Sequence, residues 1–230
     1  MLRCEDLTLR QGDFTLTADW TLDRGARLAL IGPSGAGKST LLAALAGFLD
    51  PAGGRVTWDN QDLRGVPPGK RPMATLFQDG NLFPHLTIGQ NVGLGLRPDL
   101  RLTDKDRSRV DEALSRVGLD GLSARKPATL SGGQQSRAAL ARVLVMARPV
   151  LLLDEPFAAL GPALRAEMLD LVAEVVKEAS ATLIMVSHAP EDAKRIAGLV
   201  SVVADGEAAQ PIGTAQIFAT PPASLRDYLG

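Results

Sequence analysis

The sequence predicts an α/β fold built on a parallel sheet, with an antiparallel β region ahead of it and a helical region within it. Three observations carry this. Short continuous apolar runs at 150–153, 181–187 and 199–204 alternate with helical segments. That is the pattern of strands buried on both faces and joined by crossover helices. Phe14, Leu16, Ala18, Trp20 and Leu22 alternate with Thr15, Thr17, Asp19, Thr21 and Asp23, as in a strand with one wet face. The stretch 79–126 reads as mostly helical.

In chain order, Arg24-Gly25 turns the N-terminal strand into a short apolar strand at 26–31, which runs into a glycine-rich loop. Gly53-Gly54 precedes a strand at 55–58, Pro67-Pro68-Gly69 marks a loop, and 73–78 reads as a strand. Thr103-Asp104 is placed to cap a helix whose mixed charges (Lys105, Asp106, Arg107, Arg109, Asp111, Glu112, Arg116) form a solvated face. A helical run covers 135–147. Another helix follows Pro162, with proline in its first turn.

Composition narrows the function. The 230 residues hold 25 Lys and Arg against 26 Asp and Glu, a net charge of −1. That is the wrong balance for a protein built to coat nucleic acid. The longest informative apolar run, 41–49, stops at Asp50, short of a membrane span. Cys4 is the single cysteine, so no internal disulfide forms and a reducing, cytosolic setting is expected.

The first chemical signal is Gly32-Pro33-Ser34-Gly35-Ala36-Gly37-Lys38-Ser39, followed by Thr40. It fits the full phosphate-loop pattern, between an apolar strand and a helix. The glycines let backbone N–H groups turn toward a polyphosphate, and the helix N-terminus adds its dipole. Lys38 supplies a cation for the β and γ phosphates, and Ser39 a hydroxyl for Mg²⁺.

The second signal is Asp154-Glu155, just past the 150–153 strand. Ligands of open parallel sheets bind at the strands' carboxyl ends. There Asp154 can hold Mg²⁺ through water, and Glu155 can orient and deprotonate an attacking water. His188 ends the strand 184–188 at the same sheet edge, placed to sense the γ-phosphate and help position that water. His85 has no such support and reads as a surface or interface residue. The third signal is Leu130-Ser131-Gly132-Gly133-Gln134 ahead of a helical run. Ser131 is the N-cap candidate, and the glycines leave the helix N-terminus bare for a phosphate.

The ordered set of phosphate loop, Gln78, the 130–134 segment, the apolar-Asp-Glu segment and His188 resembles the nucleotide-binding subunits of ABC transporters across essentially the whole chain. The resemblance implies a P-loop NTPase (ABC ATPase) fold in one domain, 1–230. Its core and antiparallel β subdomain would come from 1–78 and 149–230, and its helical signature subdomain from 79–148. It also implies a head-to-tail homodimer with two ATP molecules and Mg²⁺ at the interface. Lys38, Ser39, Gln78, Asp154, Glu155 and His188 would act in cis, with Ser39, Gln78 and Asp154 at the metal. Ser131, Gly132, Gly133 and Gln134 would act in trans.

Within that family, residues 71–87 resemble importers that use a periplasmic solute-binding protein. The segment after Gln78 would grip a membrane-spanning permease, with Phe77, Leu82 and Phe83 as an apolar socket. Residues 45–49, 91–96 and 201–206 resemble the thiamine-importer branch. The implied activity is ATP hydrolysis driving import of thiamine or thiamine phosphate, from a peripheral position on the cytoplasmic face of the inner membrane, with no nucleic acid partner. Iron, polyamine and molybdate importers, soluble ABC proteins and a regulatory ATP-binding module are the alternatives. Two departures stand out. Leu9-Arg10-Gln11 lacks the aromatic that members of the family stack on adenine, leaving Arg10 or Phe14. Ala158-Ala159-Leu160-Gly161 lacks the carboxylate that usually ends this segment, which predicts weaker coupling between the two sites with hydrolysis kept.

Overall fold

The computed structural model describes residues 1–77 and 82–229. Strands β1 (Leu2–Gln11) and β2 (Phe14–Leu22) form a hairpin through a two-residue turn, with Gln11 paired to Phe14. Gly12 takes the positive φ (58°) that such a turn demands. The alternation read from the sequence is the one observed: Leu16, Ala18, Trp20 and Leu22 are buried, and the intervening threonines and Asp19 are exposed.

The parallel sheet follows. Its strands are β3 (Arg27–Ile31), then, after helix α1 (Lys38–Ala46) and the antiparallel β4 (Gly53–Trp58) and β5 (Gln61–Asp62), β6 (Met73–Leu76). Next come helices α2 (Ile88–Gly93), α3 (Asp104–Arg116) and α4 (Gly132–Val145), and strand β7 (Val150–Asp154). Helix α5 (Pro162–Glu178), β8 (Thr182–Val186), α6 (Pro190–Ile196) and β9 (Leu199–Ala204) complete the alternation. The chain closes with β10 (Glu207–Ala208), β11 (Ile212–Gly213), α7 (Thr214–Ala219) and α8 (Ala223–Leu229).

The strand order is β5-β4-β1-β2-β10-β9-β3-β8-β7-β6, with β11 beside β9. The strands β9, β3, β8, β7 and β6 run parallel. Short β10 pairs antiparallel with β9 and parallel with β2, joining the two halves. Alternate residues of the parallel strands feed opposite faces, as the pleat requires. Leu28, Leu30 and Leu152 pack with Leu41, Leu42 and Leu45 of α1 and with the β hairpin. Ala29, Ile31, Leu151 and Leu153 pack with Ala138 and Leu140 of α4 and Met168 and Val172 of α5.

One expectation needs correction. The stretch 79–126 is not mostly helical: among the described residues its α-helices are α2 and α3, and turns fill most of the rest. Gly93, Gly95 and Pro98 stop α2, and Gly118 and Gly121 follow α3, so the breakers outweigh the helix formers between them. The Thr103 cap is present as a capping box, with Asp106 as its second member. That makes Asp106 an exception on the solvated face. It is buried, accepting from the Thr103 N–H at 3.0 Å and from Arg97 Nε at 2.7 Å.

Candidate nucleotide site

Register places the site. Leu30 of β3 lies level with Val186 of β8, which lies level with Asp154 of β7. Three parallel strands therefore end together, and the segments leaving them (from Gly32, Glu155 and Ser187) meet at one edge. Backbone bonds tie them there: the Glu155 N–H donates to the Val186 carbonyl at 3.1 Å, and the Ser187 N–H to the Leu30 carbonyl at 3.3 Å.

The phosphate loop is closed at its base and open at its mouth. Gly37, the N-cap of α1, has left-handed backbone (φ 100°), and no side chain caps the helix. The N–H groups of the first turn have no partner inside the helix. A side chain at Gly37 would run into the Phe14 ring, 2.6 Å from where a Cβ would sit, so the ring from β2 supports the loop from below. Pro33, Ser34 and Gly35 are exposed, Ala36 and Gly37 half-buried, and Gly32 buried. Lys38 is only 5% exposed, and its Nζ donates to the Gly32 and Pro33 carbonyls at 2.8 and 2.7 Å. Burial pulls its ammonium below the usual lysine range, while Glu155 and Asp154 act in the opposite direction. Thr40 Oγ1 donates to Gln11 Oε1 at 3.3 Å, fixing the hairpin tip against α1.

Across the loop, Ser39 Oγ donates to Asp154 Oδ1 at 3.0 Å. Burial raises the Asp154 carboxyl above the usual range, partly offset by that hydrogen bond. A hydroxyl and a carboxylate, hard oxygen donors converging at the edge of a phosphate loop, fit Mg²⁺, which takes one or two protein oxygens and completes its shell with water and phosphate. Glu155 sits at φ 45°, a left-handed conformation uncommon for a residue with a side chain. It aims the carboxylate at His188, whose Nε2 lies 2.6 Å from Glu155 Oε1. The two residues read from separate strand ends thus form a contact pair beside Lys38. Gln78 lies outside the described residues.

The 131–134 segment starts α4 as expected, but it is not bare. Ser131 Oγ accepts from the Gln134 N–H at 3.3 Å, and Gln134 Oε1 accepts from the Ser131 N–H at 3.0 Å. Gly133 abuts α5: an added Cβ would sit 2.4 Å from Leu164 Cδ2. No hydrogen bond joins Ser131, Gly132, Gly133 or Gln134 to Lys38, Ser39 or Asp154 among the described residues.

Residues 16–158 match the family profile described as ABC transporter. The chain belongs to the ABC transporter family. A protein of Cereibacter sphaeroides named thiamine import ATP-binding protein ThiQ is 61% identical over the full length of both chains. The protein of that name in Escherichia coli K12 is 51% identical over 209 residues, 91% of this chain and 90% of its own. Among solved structures, the ATP-binding cassette MJ0796, a dimer in a post-hydrolysis state with ADP and Pi, superposes with a TM-score of 0.81. It is 28% identical, over 93% of this chain and 99% of that one. The cbiO1 subunit of Clostridium perfringens, part of a transporter complex, gives 0.81 at 32% identity, over 95% of this chain and 90% of that one.

Phe77 and Phe83 are exposed (37% and 46%), whereas Leu82 packs against the core. Phe48, outside the expected socket of Phe77, Leu82 and Phe83, is 58% exposed and meets Phe77 edge to face at 5.5 Å. His85 is exposed, as expected, and its ring lies 6.0 Å from that of Phe83. Gly161 is the N-cap of α5, with no side-chain cap, so the absent carboxylate falls where it would cap a helix. Arg165, Ser187 and Asp192 also meet at this edge, and the sequence pattern does not single them out. Their signal was a serine and a spaced aspartate beside His188 and an arginine one turn into α5, none of it a known pattern on its face. No helix among the described residues is long and apolar enough to cross a membrane.

Proposed function

We propose that this chain is the ATP-hydrolysing subunit of a thiamine importer, acting as a homodimer docked on a permease at the cytoplasmic face of the inner membrane. The observation that carries the chemistry is the meeting, at one sheet edge, of the open phosphate loop, the Ser39–Asp154 bond and the Glu155–His188 pair. What supports the cargo is that full-length relatives at 61% and 59% identity are named thiamine import ATP-binding proteins.

In this reading, residues 32–40 cradle the triphosphate, and Lys38 exchanges its bonds to the Gly32 and Pro33 carbonyls for bonds to phosphate oxygens. Ser39, Asp154 and Gln78 would hold Mg²⁺, which would supply positive charge against the triphosphate. Glu155 takes a proton from the attacking water as that water's oxygen bonds to the γ-phosphorus. The bond to the bridging oxygen breaks, and ADP leaves with phosphate. His188 holds the Glu155 carboxylate and faces the γ-phosphate. Ser131, Gly132, Gly133 and Gln134 of a second copy close the mouth of the loop, so the phosphate holds the dimer together until hydrolysis removes it. Phe48, Phe77 and Phe83 form the apolar part of the permease contact. A periplasmic solute-binding protein delivers cargo on the far side.

The test is purification from membranes with the permease bound, followed by reconstitution in vesicles. The reading expects ATP turnover and thiamine uptake that both rise when thiamine-loaded binding protein is added. Turnover that stays unchanged, with no uptake, would contradict it.

A further inference from the structure

A closed ring of contacts runs through the Glu155–His188 pair. Asp192, in the first turn of α6, has its Oδ2 engaged by Ser187 Oγ at 2.6 Å and by Arg165 Nε at 3.0 Å, with Arg165 Nη2 also bonded to it. Ser187 Oγ in turn accepts from the Ala189 N–H at 3.0 Å. One hydroxyl therefore grips the chain on both sides of His188. Arg165 stands in the first turn of α5, its own N–H donating to the Gly161 carbonyl at 2.9 Å. The circuit goes from Glu155 along the chain to Gly161, to Arg165, across to Asp192 and Ser187, and through His188 back to Glu155. Inside it lies a cleft of about 330 Å³.

We propose that Arg165 and Asp192 are positioning residues that hold His188 against Glu155, working as a clasp between the start of α5 and the His188 loop. This rests on the functional reading above. The pieces fit that task. Ser187 is 2% exposed and Asp192 8%, so their bonds are shielded from water, whereas the His188 side chain is 39% exposed. An imidazole on an exposed loop needs an anchor, because a misplacement of about 1 Å at a reacting group costs on the order of 100-fold in rate. A paired carboxylate in such a place is weak evidence for stability. What marks this one is its direct bond to the residue before His188. The guanidinium fork contacts one carboxylate oxygen with two nitrogens, a geometry an ammonium does not reproduce. Because Arg165 also follows the 158–161 segment, movement there reaches His188 through the clasp.

The test is a double-mutant cycle on ATP turnover by the full chain, with Arg165→Ala and His188→Ala singly and together. Arg165→Ala is expected to lower kcat about tenfold with KM for ATP unchanged, since proximity and orientation are lost and phosphate contacts are not. In the His188→Ala background the same change is expected to add less than about twofold. Arg165→Lys, which keeps charge and loses the fork, should not restore kcat. Asp192→Asn, close in shape, serves as the second variant if Arg165→Ala does not fold. Additive losses, full rescue by lysine, or failure of both variants to fold would each overturn the clasp. If His188→Ala alone leaves kcat unchanged, the assigned role of His188 fails, a result distinct from failure of the clasp.

Discussion

Two helix starts in this molecule carry similar glycine-rich lettering and reach opposite states. Helix α1 begins at Gly37 in left-handed backbone with nothing capping its first turn, and Lys38 is folded back at its mouth. Helix α4 begins at Ser131, which closes on Gln134 in a capping box. The first leaves N–H donors for a ligand, and the second has satisfied two of its own. A glycine-rich lead-in is therefore not sufficient for an anion site; what stands over the first turn decides. In the proposed mechanism, the open end takes the triphosphate within one chain. The capped end takes it from a second copy and gives up part of its cap to do so.

Three substitutions break or sharpen that comparison. The largest effect is expected from Lys38→Ala. Removing a charge-assisted donor costs about 1.5–3 kcal/mol, so ATP affinity of the single chain should fall about tenfold to over a hundredfold by titration calorimetry. An unchanged Kd would remove Lys38 from the phosphate. Ser131→Ala should leave that single-chain affinity alone. It should lower stability by about 1 kcal/mol, a Tm fall of about 2–4 °C by differential scanning calorimetry, because a cap is lost. If instead ATP affinity of the monomer drops as it does for Lys38→Ala, the two helix starts are not different in kind.

The smallest effect concerns a third helix start. Helix α5 is uncapped like α1, but Pro162 at its first position has no N–H, so it offers a poorer anion site. Gly161→Asp puts a carboxylate there, with open space around the new Cβ. It should raise Tm by about 1 °C, as a glycine cap is only a few tenths of a kcal/mol worse than aspartate. It should also raise permease-stimulated turnover if the missing carboxylate weakens communication between sites. A lower Tm would show that the N-cap geometry is misread.

These differences track how much of the molecule was legible in the sequence. The phosphate loop is contiguous, and its residues 32–40 fall as read because strand, glycines and helix follow one another without a gap. The β2 alternation and the β7, β8 and β9 apolar runs were equally plain, since burial on one face or both imposes a period on the residues themselves. The capping box at α4 was half legible: Ser131 reads as a cap, but the return bond from Gln134 is a conformational choice. The clasp was not legible. Arg165, Ser187 and Asp192 meet only because α5 and β8 bring distant segments to one edge, and nothing local forces the positive φ of Glu155. The 79–126 region misled because helix-forming charge patches stand between glycines and prolines that cut the helices short.

The central claim is that the phosphate is shared between the open helix end of one chain and the capped helix end of another. Glu155→Gln tests it most directly, since it removes the proposed base and keeps the shape. Light scattering on this variant with saturating Mg-ATP should give the mass of a dimer, and with ADP the mass of a monomer. A variant that stays monomeric with Mg-ATP bound would contradict the account.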